Sequence, residues 1–284
     1  MDYSFYDRIK AFAQDAKGSK RRVAQFLLEH TQDAAFMTVG DMAGRIGVSP
    51  GTVSRVAQAM GFRGFPDIQE RIRQVILSNI APAARMEMAN VGALDWGKSM
   101  KLEMENLRNT LSRNPVKNLD SAVAFLAEAP VVHVMGTRSS YALAHFLAFN
   151  LGQVRDHVCQ VEPKPGQFAE AVRLFRAEDL FIAVGLPRYQ RDTVLLTEAA
   201  RERGCRVLAV TDSIFSPLAK LSDLALLTPC DSLSFFNSYV AAFALVDGLL
   251  THVALRLKET SAGALEAANR LHEQYHTFFN EHES

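Results

Sequence analysis

The sequence predicts an α/β chain in two parts, an all-helical N-terminal domain followed by a doubly wound parallel sheet. Three observations predict it. Residues 38–62, TVGDMAGRIGVSPGTVSRVAQAMGF, carry the periodicity and caps of two short helices joined by a tight turn. After residue 130, short apolar runs alternate with helical stretches. Between these regions, Asn79 to Trp96 is rich in Ala, Met and Asn, holds Pro82 and has little periodicity, which marks a linker. The expected division is 1–80 for the helical domain and 81–119 for the linker and connecting helices. The sheet domain then takes 120–257, and a helical tail 258–284.

In the first helix of the pair Val39, Met42, Ala43 and Ile46 recur at helical intervals; Gly47 breaks the run and Val48 plugs the turn. Ser49 then suits an N-cap, because its hydroxyl can accept an otherwise unpaired backbone N–H, and Pro50 suits a first helical position, where no donor is needed. Val53, Val56, Ala57 and Met60 make the inward stripe of the second helix, leaving Gly51, Thr52, Ser54, Arg55 and Gln58 outside. Gly61 suits the stop. A helix of this size with small polar groups and one Arg fits the major groove of duplex DNA. Spacing alone would equally serve a plain helical hairpin, but basic residues flank the pair: Lys17, Lys20, Arg21 and Arg22 before it and Arg63 after it. Residues 1–80 hold eleven Lys and Arg against eight Asp and Glu, and the remainder twenty against twenty-three. A net charge of zero therefore hides a basic N-terminal part. The candidate DNA-binding residues are Lys20, Arg21, Arg22, Thr38, Ser49, Gly51, Thr52, Ser54, Arg55 and Arg63. Thr52 and Arg55 are assigned to bases, Ser49 and Ser54 to phosphates or bases.

Downstream, GFRGFPDIQERIRQVIL reads as a turn and a helix whose Ile68, Ile72, Val75 and Ile76 close the helical domain. Residues 97–128 read as two helices broken at Asn114-Pro115, with Met100, Leu102, Met104, Leu107 and Leu111 at helical spacing in the first. Strands are expected at VVHVM (131–135), near 154–161, at LFIAV (180–184), RVLAV (206–210) and LALL (224–227). Continuous apolar strands separated by helices imply a parallel sheet covered on both faces, with ligands outside the carboxyl ends of its strands. Two loops lie there. Gly136, Thr137, Arg138, Ser139 and Ser140 follow the first strand and open a helix, an arrangement of N–H groups, dipole and hydroxyls suited to an anion. Gly185 to Thr193 opens another, with Arg188, Tyr189, Arg191 and Thr193. The arginines suit a phosphate or carboxylate, or else solvent or a subunit interface.

Nearly half of the 284 residues are apolar, which excludes a disordered chain. The three cysteines, Cys159, Cys205 and Cys230, are far apart and lack metal-type spacing, so neither a disulfide nor a metal is expected. The first ten residues carry charge without an apolar core, unlike a signal peptide, and Tyr239–Leu255 is interrupted by Asp247 and His252, which fits a buried helix rather than a membrane span. A cytoplasmic location is expected. His133 lies inside an apolar strand and His145 on a helix, both read as structural, and no general base can be assigned.

VSPGTVSRVAQAMGFRGF in the first domain resembles the helix-turn-helix of RpiR/MurR-type bacterial transcription regulators. MGTRSSYALAHFLAFNLGQV, DTVLLTEAARERGCRVLAVTDSIFSPLAKLSDLAL and SFFNSYVAAFALVDGLL resemble the sugar isomerase (SIS) domain attached to it. The resemblance implies a homodimer or homotetramer that binds operator double-stranded DNA and senses a small-molecule effector, a sugar phosphate or related anion, without a cofactor. It implies that Thr137, Ser139 and Ser140 form a phosphate loop and that Thr193 opens the second. LPRYQRDT departs from the Ser- and Gly-rich pattern of that second loop, and Thr137 replaces a more typical glycine. The rival reading is a sugar-phosphate isomerase with an accessory helical domain.

Overall fold

Local chemistry starts and stops the N-terminal helices. In the computed structural model, which describes residues 3–69, 72, 86, 95–162 and 166–279, this part holds α1 (Tyr3–Asp15), α2 (Ser19–Glu29), α3 (Thr31–Phe36), α4 (Val39–Ile46) and α5 (Pro50–Ala59). Thr38 caps α4 through a capping box: its hydroxyl accepts the Asp41 amide at 3.1 Å while the Asp41 carboxylate accepts the Thr38 amide at 3.2 Å. The Thr38 hydroxyl also donates to the Asp41 carboxylate at 2.7 Å, and this bond first, then the one from the Thr38 amide, hold the Asp41 carboxyl below its ordinary pKa. Gly47 takes the left-handed conformation (φ 64°), and the Val48 amide reaches back to the Ala43 carbonyl at 3.0 Å. The turn therefore needs a residue without a Cβ penalty. Ile9, Val23, Leu27, Met42, Ala43, Val53, Val56, Ala57, Phe65 and Ile68 close one core, so the inward stripes expected of α4 and α5 are buried. Ile72 is buried as expected; Val75, Ile76 and most of the expected linker lie outside the described residues.

The chain divides into two units, Met1–Met88 and Ala89–Ser284. In the second, α6 (Trp96–Arg113) and α7 (Val116–Glu128) precede the alternation β1 (Val132–Met135), α8 (Ser139–Val154), β2 (Val158–Val161), α9 (Phe168–Leu174), β3 (Leu180–Val184), α10 (Arg191–Glu202), β4 (Arg206–Thr211), α11 (Pro217–Leu221), β5 (Leu224–Leu227), α12 (Val240–Arg256) and α13 (Lys258–Gln274). All strand pairs are parallel and the order is β2-β1-β3-β4-β5, the flavodoxin-like order. The order in which the chain adds strands reverses between β1 and β3, which opens a crevice beyond their carboxyl ends. One face of the sheet packs Val132, Val134, Ile182, Leu208 and Val210 with α7, α8 and α12; the other packs Met135, Phe181, Ala183, Val207 and Ala209 with α10 and α11.

Two sequence expectations need correction. The strand placed near 154–161 occupies only Val158–Val161, because Val154 still belongs to α8. The Arg155 guanidinium, just past that helix, closes the end of α7 instead by donating to the carbonyls of Leu126, Ala129 and Pro130. The apolar spacing of α6 does not mark a core face: Met100, Met104, Leu107 and Leu111 are exposed, whereas Asn106, Thr110 and Asn114 are buried. Asn114 explains part of this inversion, since its side-chain amide both donates to the Leu227 carbonyl and accepts the Leu227 amide, at 2.8 Å each, pairing the end of β5. In the tail, Leu265, Leu271, Tyr275 and Phe278 are exposed, and α13 is tied to α8 through buried Ser261, whose hydroxyl donates to the Val154 carbonyl.

Candidate DNA-reading helix and ligand crevice

At the reading helix, the Ser49 hydroxyl accepts the Thr52 amide at 3.2 Å and lies 2.9 Å from the Thr52 hydroxyl. Ser49 and Thr38, both assigned to DNA, thus serve first as the caps that fix α5 and α4. Gly51, Arg55 and Gln58 are exposed; Thr52 and Ser54 are half-buried, with Arg55 Nη2 3.5 Å from the Thr52 hydroxyl. Lys20, Arg21 and Arg22 are exposed in the first turn of α2, where the helix dipole adds to their charge. Arg22 also reaches the Gly47 carbonyl at the turn, at 3.5 Å, and Arg63 pairs with Asp67 at 3.5 Å on the surface. The face is suited to a polyanion: cations at one helix N-terminus, and a short helix presenting small residues and one guanidinium.

In the second unit the two loops expected to bind ligand meet. The hydroxyls of Thr137, after β1, and Thr193, in the first turn of α10, lie 3.1 Å apart across the β1–β3 crevice. Gly136 is buried, and a Cβ there would fall 2.6 Å from the Ser140 carbonyl oxygen and 2.8 Å from the Ala144 Cβ, so only glycine lets α8 begin this close to the strand. Arg138 (φ 53°) and Arg188 (φ 63°) hold left-handed conformations that non-glycine residues rarely adopt. Each sits in one of the two loops, and such strain gathers where a loop must present its backbone in one way. Arg138, Ser139, Arg188 and Arg191 are exposed, Thr193 and Ser140 buried.

Five residues absent from the sequence-derived site complete it. The Ser140 hydroxyl meets the Tyr239 hydroxyl at 2.9 Å, and burial raises the Tyr239 pKa, so the phenol keeps its proton at neutral pH. The Tyr189 hydroxyl donates to Asp212 at 2.6 Å, which ties down the aromatic ring of the second loop. Asn237 donates to the Pro187 carbonyl at 2.9 Å, and Glu103 accepts from Ser238 at 2.6 Å. Tyr239, Asn237 and Ser238 all lie in the SFFNSYVAAFALVDGLL stretch, whose resemblance was the one signal for them. The histidines are elsewhere engaged. His133 is buried against Asp179 (3.0 Å) and edge-on to Phe175, and His145 lies on the exposed face of α8 bonded to Gln160 at 2.8 Å.

Two family models match the chain: "Helix-turn-helix domain, rpiR family" over residues 4–79 and "SIS domain" over residues 125–252. The sugar isomerase domain of an RpiR transcription factor from Sphaerobacter thermophilus is 30% identical, with a TM-score of 0.59, over 61% of this chain and 97% of that one. The chain belongs to the RpiR family of transcriptional regulators. Two further proteins match it across both domains. The HTH-type transcriptional regulator HexR of Pseudomonas aeruginosa is 24% identical over 260 residues, 88% of this chain and 89% of that protein. The NanR protein of Vibrio vulnificus, solved as a complex with ManNAc-6P, shares the fold at 20% identity, with a TM-score of 0.60 over 95% of this chain and 98% of that one. The rpiR helix-turn-helix match takes in α1 to α5, and the SIS match takes in the five strands with the β1 and β3 loops.

Proposed function

We propose that this RpiR-family regulator reads operator DNA with α5 and senses a phosphorylated sugar or related anionic metabolite in the β1–β3 crevice. The observation that carries the reading is the Thr137–Thr193 contact at 3.1 Å, which brings two hydroxyl-bearing helix N-termini, of α8 and α10, to one point at the strand-order reversal. Ser139, Ser140 and the backbone amides of the α8 first turn would hold the phosphate, and Arg188 and Arg191 are exposed at the mouth for a second anionic or hydroxylated part. ManNAc-6P is the ligand of the NanR complex; for this chain the class of ligand is inferred from its own loops. On the reader, Thr52 and Arg55 face bases and Lys20, Arg21, Arg22 and Arg63 face phosphates, with Thr38 and Ser49 holding the two helix starts and Gly51 and Ser54 allowing close approach.

We propose binding rather than catalysis. An aldose–ketose isomerisation needs a base beside the sugar carbons. His133 and His145 are bonded to Asp179 and Gln160, and of the carboxylates near the crevice Asp212 and Glu103 are occupied by Tyr189 and by Ser238 with Asn106, while Asp192 is exposed in the first turn of α10. The exposed Met100, Met104, Leu107 and Leu111 of α6, spaced as in a helix–helix seam, support a homodimer or homotetramer. No single helix among the described residues is long and apolar enough to cross a membrane, and the cytoplasm is the proposed location because that is where a DNA reader meets its operator.

Duplexes selected from a randomised library by the purified chain provide the test. Arg55→Ala is expected to erase discrimination between selected and unselected duplexes in anisotropy titrations; retained discrimination would remove Arg55 from the reader. In a thermal-shift panel of sugar phosphates, the Ser139→Ala, Ser140→Ala double variant is expected to lose the stabilisation seen for the parent. An unchanged shift would place the site elsewhere. Turnover of any of these compounds in a coupled isomerase assay would favour the enzyme reading.

A further inference from the structure

The segment 228–239, between β5 and α12, is tied in two directions at once. Its neck is closed by the Ser238 amide donating to the Cys230 carbonyl at 3.1 Å. Toward the crevice, Tyr239 meets Ser140 of the first ligand loop at 2.9 Å and Asn237 holds the Pro187 carbonyl of the second at 2.9 Å. Toward α6, the Ser238 hydroxyl donates to Glu103 at 2.6 Å, and the Asn106 side-chain amide donates to the Asp231 carbonyl at 2.8 Å and to Glu103 at 3.3 Å. Neighbouring residues, Ser238 and Tyr239, therefore pull on different elements. These pairings join positions 99 and 135 residues apart in sequence.

We infer that Ser238 and Tyr239 form a relay: a ligand that engages Ser140 withdraws it from Tyr239, and the loop then shifts the Glu103 contact that positions α6. Glu103 and Tyr239 are positioning residues in this scheme, and α6 is the first helix described after the stretch that joins the SIS domain to the reader. A relay needs an element with two arrangements. The α6 contact has the means for a second one, because its buried face leaves Asn106 Oδ1 and Thr110 Oγ1 without hydrogen-bond partners. Buried polar atoms without partners are costly, so a small slide of the loop past α6 that supplied a donor to them would be repaid. The Tyr239 hydroxyl, kept protonated by burial, can donate either to Ser140 or to an incoming anion.

The inference rests on the ligand-loop assignment above, and the experiment separates the two. Hydrogen–deuterium exchange of the full-length chain is read on peptides covering α6 and on peptides covering Ser139–Ser140. Without ligand, Ser140→Ala is expected to change α6 exchange by roughly five-fold, the lower end of ordinary coupling between sites. The same substitution should leave α6 unchanged in a Ser238→Ala background, and Ser238→Thr, which keeps the hydroxyl, should restore the response. An α6 response of equal size with and without the Ser238 hydroxyl, or none in either, overturns the relay. In the second arm, millimolar inorganic phosphate is expected to protect Ser139–Ser140 and alter α6 in the parent, and to protect only Ser139–Ser140 in Ser238→Ala. Phosphate that protects neither overturns the ligand assignment, while the relay stands or falls on the ligand-free arm.

Discussion

At the scale of single residues, several polar groups are committed to structure before they are available to any ligand. Asp179 is buried at the start of β3, where one carboxylate oxygen lies 3.0 Å from His133 Nε2 and 3.0 Å from the Arg176 amide nitrogen. Asp179→Ala would strip the buried His133 imidazole and the part-buried Arg176 amide of their partner, a loss of about 1–3 kcal/mol. A fall in the urea midpoint of that size, with phosphate affinity of the folded protein unchanged, is the expected result. A selective loss of phosphate binding would instead make His133 part of the site. Ser49 divides its duties differently, between capping α5 and facing DNA. Ser49→Ala should cost the reader about 1 kcal/mol of stability by removing the cap. Ser49→Asp keeps a good cap but sets a negative charge toward phosphates. It is therefore expected to preserve the melting transition and weaken duplex binding, and equal DNA affinity for the Asp variant would confine Ser49 to its structural role.

At the scale of elements, what was legible in the sequence is what is written locally. The α4–α5 turn was visible because Gly47, Ser49 and Pro50 act through backbone geometry within a few residues, and the strands because a fully buried parallel strand must be apolar at successive positions. The inverted α6 was not visible: helical spacing of methionines and leucines says that a stripe exists, not that a neighbour covers it. Nor could spacing show Tyr239 beside Ser140 or Glu103 beside Ser238, since each pair is brought together only by the sheet's crossovers. Gly136 lies between these cases. Its place after β1 was legible, but its reason is a contact four and eight residues ahead, with the Ser140 carbonyl and Ala144. Gly136→Ala would have to push the α8 N-terminus off the strand end, because backbone stands in the way and cannot rotate aside as a side chain can. We expect a destabilisation of about 1–3 kcal/mol, the usual range for overpacking, with loss of phosphate protection at Ser139–Ser140. Protection equal to the parent's would show that the loop does not depend on this close approach.

At the scale of the whole molecule, zero net charge and DNA binding are compatible because charge is unequally distributed, with the basic excess confined to residues 1–80. Binding to a duplex releases counterions in proportion to the phosphates neutralised, so affinity must fall as salt rises, with a slope set by the reader alone rather than by the chain's net charge. Arg21 and Arg55 then have distinguishable roles despite carrying the same charge. Arg21 is exposed in the first turn of α2, where no base edge is implied, whereas Arg55 projects from α5. Arg21→Ala is expected to weaken selected and unselected duplexes alike and to reduce the slope of log affinity against log salt by roughly 1. Arg55→Ala should narrow the gap between the two duplexes as well. Titrations at several salt concentrations decide it: an Arg21→Ala chain with the parent's slope would take α2 out of the phosphate contacts and leave the basic excess of the first domain without its proposed purpose.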